Sequence, residues 1–368
     1  MKRWLASLVH YYRPRPDVIL TTLVLGVIGF GLLVLYSASG GRVDVVLRQS
    51  LRLLVGLGLM LALSRIPTAK LRHLTPFLFA VSMALIIWVA IAGVGQGANR
   101  WLDWKWVRFQ PAELLKLTLP MTLAWYLHER PIPIGFRDFM LCVLLIALPA
   151  ALIARQPDLG TALLIAGSGG AVVFFAGLRW RLILGLVIGA VAAVPVLWTH
   201  LHEYQRNRVR ILLDPESDPL NHGWNIIQSK IAIGSGGLFG KGWHHGTQAQ
   251  LDFIPERSTD FIMAVLGEEF GLVGVLLLLT AYLLLVARVL QIAGNGADNY
   301  SRLLAGSIGL TFTLYVVVNA GMVSGLLPVV GVPLPLISYG GTSVVTLLAG
   351  FGIVMAVKAS SKRGRFHT

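Results

Sequence analysis

Charged residues are scarce in this 368-residue sequence. They form 13% of it, whereas about a quarter of the residues in a typical soluble domain are charged. Hydrophobic residues form 55%, and the mean hydropathy is +0.72. This composition excludes an ordinary water-soluble fold and indicates an integral membrane protein.

Cysteine is almost absent as well. Cys142 is the single cysteine, and one thiol can form neither an internal disulfide nor a thiolate metal site. His222, His244 and His245 have no carboxylate at ligand spacing, so we interpret them as loop residues. The number of cysteines and the spacing of the histidines therefore give no indication of a metal site.

Signals for nucleic acid and nucleotides are also missing. The 31 basic and 17 acidic residues give a net charge of +14, but the basic residues are spread between apolar runs, which argues against nucleic-acid binding. The stretch GSGGLFGKG at 234–242 lacks the first glycine and the final Ser or Thr of a phosphate-binding loop. We expect no nucleic-acid partner and no nucleotide.

Long apolar runs dominate what is present. They lie at about 18–37, 46–64, 75–94, 111–127, 137–154, 158–177, 181–200, 260–287, 302–324 and 339–357. A helix of about 20 apolar residues spans roughly 30 Å of hydrocarbon, and the runs lack the alternation of barrel strands. The sequence predicts an all-α polytopic membrane protein with about ten transmembrane helices in a single domain over 1–368.

The distribution of lysine and arginine indicates how these spans are oriented across the membrane. They occur in every segment that we place inside: 1–16, 65–72, 130–137, 179–181, 288–302 and 358–368. Because cytoplasmic segments are enriched in these residues, we expect both termini in the cytoplasm, with 1–16 as an interfacial segment and 358–368 as a basic tail. The loop 201–259, between the seventh and eighth spans, is then extracytoplasmic and long enough to form a structured cap.

Positive charge is present on the outer side too. It comes from residues before the fourth span and in the long loop: Arg100, Lys105, Arg108, Arg206, Arg208, Arg210, Lys230, Lys241 and Arg257. A basic face beside buried spans is typical of a site for an anionic lipid headgroup.

Ionisable side chains at membrane depth are costly and indicate function. Glu113 and Lys116 share one face of the fourth span, which Pro111 opens, and form either a structural ion pair or part of a groove. Arg155 and Asp158 flank the turn between the fifth and sixth spans. Asp158 caps the sixth helix, binds a ligand, or does both.

A third set of acidic residues begins at Asp260, where the long loop meets the eighth span. Asp260 is either a helix cap or a functional acid within reach of water and lipid. Glu268 and Glu269 follow roughly 12 Å along the predicted helix, with Glu268 within about 80° of Asp260 in projection. They either belong to the same site or hold helices together.

The run 319–343 cannot be a continuous helix. It contains Pro328, Pro333 and Pro335 among several glycines, and proline disrupts a helix interior. Irregular backbone at membrane depth must be buried in protein or line a cavity. This segment is a candidate wall of a substrate groove.

Five stretches carry a resemblance to a known family. They are GANRWLDWKWVRFQPAELLKL, ARQPDLGTA, LLDPESDPLNHGWNIIQSKIAIGSGGLFGKGW, PERSTDFIMAVLGEEFGLVG and GVPLPLISYGG. The chain resembles the SEDS proteins (shape, elongation, division and sporulation) over nearly its whole length. It is more similar to their rod-shape branch than to their division branch.

The resemblance implies a peptidoglycan glycosyltransferase that polymerises lipid II at the outer face of the cytoplasmic membrane during elongation and rod-shape maintenance. It implies Asp260 as the catalytic residue. A class B penicillin-binding protein is the implied transpeptidase partner, beside other elongation proteins. A divalent cation, Mg²⁺ or Mn²⁺, is expected to assist. The septal polymerase of the division branch is the nearest alternative.

The implied chemistry needs a base for a sugar hydroxyl and positive charge for a pyrophosphate leaving group. Asp260 is the expected base. We expect these residues to bind substrate: Arg100, Glu113, Lys116, Arg155, Asp158, Arg208, Arg210, Lys230 and Ser338. Direct displacement needs one base, whereas a glycosidase-like scheme needs two carboxylates, and we favour the former.

Two alternatives belong to other classes of protein. A lipid II flippase would need polar contacts through both halves of the membrane, whereas the charged sets lie in the outer half. A structural scaffold would have no need of costly carboxylates at membrane depth.

Overall fold

The structure is a computed structural model that describes residues 16–93, 100–104, 107–156, 158–178, 180–200, 203–218 and 222–364. The predicted interfacial segment 1–16 lies outside the described residues except for Pro16, and so do Lys105 and the last residues of the predicted tail, 365–368. Residues 358–364 of that tail continue the last helix.

Ten helices match the ten predicted runs. In chain order, with the other elements between them, they are α1 (Val18–Ala38), α2 (Val43–Leu63), α3 (Thr68–Ala92), a hairpin of β1 (Leu102–Trp104) and β2 (Val107–Phe109), α4 (Pro111–Leu127), α5 (Phe136–Ala154), α6 (Leu159–Phe175) and α7 (Trp180–His200). The loop helices α8 (Glu203–Leu213), α9 (His222–Gly236) and α10 (Thr247–Gln250) precede α11 (Ile262–Gly294), α12 (Asn299–Val323) and α13 (Thr342–Gly364). A short 3₁₀ turn, Pro215–Ser217, follows α8.

Seven of these helices are long and apolar enough to cross a bilayer in the described part of the chain: α1, α2, α3, α5, α11, α12 and α13. Large apolar side chains stay exposed on their outer faces, among them Leu51, Phe77, Leu144 and Leu277. Such continuous apolar surface is unfavourable in water and suits lipid. The chain is an integral membrane protein.

The centre of the bundle is α12. It packs against α4, α6, α11 and α13, and its Tyr300, Phe312 and Tyr315 are fully buried. Phe312 contacts Tyr282 of α11 and Phe351 of α13 through its ring. Because α12 is surrounded by protein, polar groups along it can be held without contact with lipid.

One buried carboxylate joins three helices at the end of the bundle where α1 begins. Asp17 caps α1 through the N–H of Leu20 (2.7 Å) and forms ion pairs with Arg288 (2.6 Å) and Lys358. Burial raises the pKa of Asp17, but hydrogen bonds from Arg288 and Lys358 outweigh it and lower the pKa to about 2. The charged cluster therefore stabilises the fold fully above the ordinary pKa of an aspartate, and this stabilisation is lost as the pH falls towards 2.

A helix break in α11 docks the long loop onto the bundle. Gly271 has φ 62° and ψ −162°, outside the helical region. The N–H groups of Leu272 and Val273 donate to the carbonyls of Gly237 (3.0 Å) and Leu238 (3.1 Å) instead. The loop thus supplies the hydrogen-bond partners that the break removes, as membrane depth requires.

The side chain of Glu268 contacts the same loop, and that of Glu269 contacts the end of α1. Because α11 begins at Ile262, Asp260 lies in the preceding turn, and the expected helical projection from Asp260 to Glu268 does not apply. Glu268 accepts hydrogen bonds from Lys241 (2.7 Å) and Thr247 (3.1 Å). Glu269 accepts one from Ser37 at the end of α1.

Candidate active site

A polar cavity of about 400 Å³ lies where α4, α6 and α11 begin and where the segment between α12 and α13 runs. Ionisable and amide side chains gather on its lining: Arg100, Gln110, Glu113, Lys116, Asp158, Arg208 and Asp260. The helix starts bring together residues that are up to 160 positions apart in sequence. Six of the ten predicted site residues line this one cavity.

Asp260 occupies the last turn before α11 and is partly buried. Among the described residues no basic side chain forms an ion pair with its carboxylate. Burial raises the pKa of Asp260, the negative charge of Glu256 raises it further, and together they bring it to about 6. A carboxylate with this pKa is a stronger base than an ordinary aspartate and is still ionised at neutral pH.

The backbone around Asp260 is fixed by Asn319 of α12. The fully buried side-chain amide of Asn319 donates to the carbonyl of Asp260 (2.8 Å) and to the carbonyl of Val332 (2.7 Å). These two carbonyls belong to segments on opposite sides of α12 in sequence. One amide therefore holds the acid-bearing turn against the irregular segment that follows α12.

Gly331 lies directly beside the Asp260 carboxylate. Its φ of +72° is in the left-handed region, and a Cβ on it would lie 3.4 Å from Asp260 Oδ2. A glycine is suited to this position because it adopts positive φ without steric cost and leaves space beside the carboxylate. The predicted groove wall is thus shaped to keep that acid accessible.

Glu113 and Lys116 form a buried ion pair on the first turns of α4, with 2.7 Å between Lys116 Nζ and Glu113 Oε1. The ammonium also lies 5.0 Å from the ring centroid of Tyr315. Glu113 Oε2 is buried without a hydrogen-bond partner among the described residues. The pair is therefore both structural and exposed to the cavity, and it leaves one acceptor atom for a ligand.

Asp158 both caps a helix and faces the cavity. Its Oδ1 accepts from the N–H of Thr161 (3.1 Å), and its Oδ2 accepts from Gln110 (3.2 Å). Arg100 lies 3.8 Å from the same Oδ2 and donates to the carbonyl of Gln156 (3.2 Å). Asp158 thus orients an arginine and an amide towards the cavity.

The other four predicted residues lie off the cavity lining. Arg155 is exposed, Arg210 is paired with Glu203 (2.9 Å), and Lys230 packs against Gly325. The buried Ser338 hydroxyl donates to the carbonyl of Thr259 (2.6 Å) and accepts from the N–H of Leu334 (2.8 Å). Ser338 braces the turn before Asp260 rather than facing the cavity.

Sequence reasoning missed several residues of the site. Asn319 and Gln110 carry no charge and were not predicted individually, whereas Gly331 lies among the prolines of 319–343, the predicted wall of the groove. A polar amide inside an apolar run, such as Asn319, was the available signal. Arg52, which stacks on the ring of Tyr339 (4.6 Å), was not predicted either, because no acidic residue lies three or four positions from it as Glu113 does from Lys116.

Comparison with known proteins shows a consistent relationship. The family model for the FtsW, RodA and SpoVE cell cycle proteins matches residues 18–363. The chain is 48% identical to the peptidoglycan glycosyltransferase MrdB of Escherichia coli strain K12, with 94% of each chain covered. It is 37% identical to the probable peptidoglycan glycosyltransferase FtsW of Trichlorobacter lovleyi, also with 94% of each covered.

Two solved structures are similar along almost their whole length. One belongs to a peptidoglycan synthase complex that coordinates polymerisation and crosslinking; it has a TM-score of 0.84 and 36% identity, with 96% of this chain and 99% of that chain covered. The other is the rod shape determining protein RodA of Thermus thermophilus, with a TM-score of 0.71, 33% identity, and coverages of 93% and 96%.

Gly331→Ala is expected to destabilise the fold by about 1–2 kcal/mol, because an L-residue is strained in the left-handed region. The measurement is the midpoint of thermal unfolding in detergent. Gly341→Ala is the matched control, since Gly341 lines the same cavity but has open space at its Cβ position. Equal midpoints for the two variants would contradict the strain assigned to position 331.

Proposed function

This chain belongs to the FtsW, RodA and SpoVE family of cell cycle proteins, and on that premise we propose that it is a peptidoglycan glycosyltransferase. It polymerises lipid II into glycan strands during cell elongation and rod-shape maintenance. The observation that carries the proposal is the accessible Asp260 carboxylate, which forms no ion pair among the described residues, in a cavity that is also lined by Arg100, Lys116 and Arg208.

Asp260 acts as the general base. It accepts the proton of the acceptor sugar hydroxyl while that oxygen forms a bond to the anomeric carbon of the donor. The bond from that carbon to the pyrophosphate oxygen breaks, and the lipid pyrophosphate leaves with the electron pair. A base with a pKa of about 6 is well matched to this proton transfer near neutral pH.

The leaving pyrophosphate gains negative charge, which cations of the cavity stabilise. Arg100 is held in place by Asp158, and Lys116 is held by Glu113. Arg208 enters the same lining from α8 of the outer loop. These three side chains surround the cavity from different elements, so they can contact a pyrophosphate on more than one side.

A direct displacement fits this site better than a scheme with a covalent sugar intermediate. The latter requires a second carboxylate that attacks the sugar. Glu113 and Asp158, the other carboxylates of the lining, are engaged with Lys116 and with the start of α6. Asp260 is therefore the carboxylate of the lining that is available to act as the base.

A divalent cation, Mg²⁺ or Mn²⁺, is proposed to assist. Among the described residues no group of three or more His, Cys, Asp or Glu could hold a metal ion. Magnesium, however, is commonly bound by one or two carboxylates together with substrate phosphates. Asp158 and the unpartnered Oε2 of Glu113 are the oxygen donors that fit such shared binding, and the ion would neutralise pyrophosphate charge.

The geometry disfavours a lipid II flippase. The cavity on the inner side of Lys116 has a volume of about 20 Å³ and is lined mainly by apolar side chains, including Leu117, Phe312 and Phe351. That volume holds about one water molecule. A cavity of about 440 Å³ at the opposite end of the bundle, around Phe175 and Arg302, shares no lining residue with the polar site. The polar site is therefore closed towards the end of the bundle that carries Asp17.

We also propose where the chain lies in the cell and which protein it binds. The chain lies in the cytoplasmic (inner) membrane as one multi-pass domain, with both termini inside and 201–259 outside. A class B penicillin-binding protein that crosslinks the new strands is the proposed partner. Its support is the similarity to a chain of a peptidoglycan synthase complex, and other elongation proteins complete the assembly.

Asp260→Asn is expected to lower lipid II polymerisation by about 10²–10⁴-fold, the usual contribution of a general base. Product length and amount are measured by gel electrophoresis with equal amounts of folded protein. Glu256→Gln serves as the control, because it removes the neighbouring negative charge but keeps the base, and it should retain most of the activity at neutral pH. Polymerisation above half the wild-type rate in Asp260→Asn would disprove the catalytic role.

The pH dependence of kcat/KM is expected to show an acidic limb near pH 6, because protonated Asp260 cannot accept the hydroxyl proton. The limb should move to lower pH in Glu256→Gln, since that variant removes a negative charge that raises the pKa of Asp260. An identical limb in both proteins would contradict the assignment of the titrating group to Asp260.

Labelling with a membrane-impermeant maleimide tests the orientation. In a Cys142→Ala background, Leu251→Cys lies in the exposed outer loop and Glu129→Cys in an exposed loop at the other end of the bundle. We expect intact cells, with the cell surface made accessible, to label the first variant but not the second. The reverse pattern would place Asp260 on the cytoplasmic side and refute the mechanism.

A further inference from the structure

Arg52 is an arginine inside a membrane span with no acidic partner among the described residues. It is the tenth residue of α2, about 14 Å from the outer end of that helix at 1.5 Å per residue. Its guanidinium carbon lies 4.6 Å from the ring centroid of Tyr339. An ionisable group at such depth is costly, and it marks a ligand site more often than a packing position.

Membrane topology does not account for Arg52. Positive charge near the outer end of a span opposes the enrichment of lysine and arginine on the cytoplasmic side. Arg48 lies one turn further outwards on nearly the same side of α2 and is paired with Asp44 on the exposed surface. Because helix side chains tilt towards the helix N-terminus, both guanidinium groups point towards the outer end of the bundle.

Tyr339 is held firmly beneath Arg52. The N–H of Tyr339 donates to the carbonyl of Ser258 (2.8 Å). The side-chain amide of the buried Gln49 donates to the carbonyl of Ser338 (3.3 Å) and accepts from the N–H of Gly340 (3.3 Å). Helix α2 thus fixes the backbone on both sides of the tyrosine whose ring contacts Arg52.

The same tyrosine belongs to the candidate active site. Tyr339 lines the cavity that contains Asp260, together with Gly340 and Gly341. Arg52 therefore stands at the edge of that cavity, on the side of α2. A group bound to Arg52 would be separated from the cavity by one aromatic side chain.

The surface around Arg52 suits a lipid tail. Leu51 and Val55 are each more than half exposed on the faces of α2 beside Arg52. A stacked guanidinium keeps its N–H edges available for two parallel hydrogen bonds to a phosphate. A charged head at Arg52 and an apolar tail along α2 would fill this surface.

We propose that Arg52, stacked on Tyr339 and assisted by Arg48, is a second phosphate-binding site that holds a polyprenyl diphosphate at the edge of the cavity. The inference rests on the proposed function, in which the donor and the leaving group are lipid pyrophosphates. Arg100, Lys116 and Arg208 bind the pyrophosphate within the cavity during the reaction. Arg52 binds it where it passes between the cavity and the membrane.

The test uses the full-length chain in nanodiscs of neutral phosphatidylcholine and a fluorescent analogue of farnesyl diphosphate as the probe. Arg52→Gln is expected to weaken binding by about tenfold and Arg52→Lys by about threefold, because lysine keeps the charge but loses the bidentate, stacked geometry. Lys70→Gln is the control. It removes one exposed positive charge at the start of α3, at the opposite end of the bundle from Arg52. Its affinity should remain within about twofold of the wild type.

Competition identifies the ligand. Unlabelled undecaprenyl diphosphate should displace the probe, whereas phosphatidylglycerol at the same concentration should not. Probe affinity within twofold of the wild type in Arg52→Gln would overturn the proposal, as would equal displacement by phosphatidylglycerol. Arg52→Lys, which retains the charge and should fold normally, ensures that a loss in Arg52→Gln is not caused by misfolding alone.

The outcome is separable from that of the proposed function. Asp260→Asn should bind the probe like the wild type, because Asp260 acts on the hydroxyl and not on the pyrophosphate. Arg52-dependent binding in a wild-type protein that makes no glycan would refute the polymerase function and leave the site. Polymerisation with unchanged KM for lipid II in Arg52→Gln would refute the site and leave the function.

Discussion

One buried amide holds together the two irregular segments on which the candidate site depends. Asn319 donates from α12 to the carbonyls of Asp260 and Val332. Neither carbonyl lies in a helix, and irregular backbone at membrane depth is stable only when its polar groups find partners within the protein. Ser338 and Tyr339 add hydrogen bonds from the second segment to the carbonyls of Thr259 and Ser258 in the turn before the acid. The position of the carboxylate relative to the cavity follows from these links.

The same requirement explains why the two ends of the bundle differ. At the outer end, the break at Gly271 is satisfied by the loop that begins after α9, and the segment after α12 is braced by Ser338 and by Tyr282, whose hydroxyl donates to the carbonyl of Pro335 (2.6 Å). At the other end, regular helices are joined by side-chain charges around Asp17. Irregular backbone, which can line a cavity, is concentrated at the end where the polar site lies.

The sequence predicted the spans well because their length follows from bilayer thickness. Nine of the ten helices begin within three residues of the predicted start, and α3 begins at Thr68, seven residues before it. It also indicated Asp260, Glu113 and Asp158, since charge at membrane depth is conspicuous. It could not predict which residues converge. Ser338 looked like part of a binding motif but serves as a brace, because its hydrogen bonds depend on a turn 79 positions earlier in the chain. Asn319 carries no charge, so the pattern of ionisable residues did not indicate it.

The different roles of the three carboxylates in the site follow from the groups that each one contacts. A carboxylate that already holds a neighbouring cation fixes the position of that cation and is less available to a sugar hydroxyl. Glu113 and Asp158 are committed in this way, to Lys116 and to the pair of Arg100 and a helix start. Their cost in buried charge is offset by the cations that they orient. Asp260 has a negative neighbour instead of a positive one and is partly buried, so its pKa rises to about 6. The site therefore separates positioning of positive charge from proton transfer, as the attack of a hydroxyl on a lipid pyrophosphate donor requires.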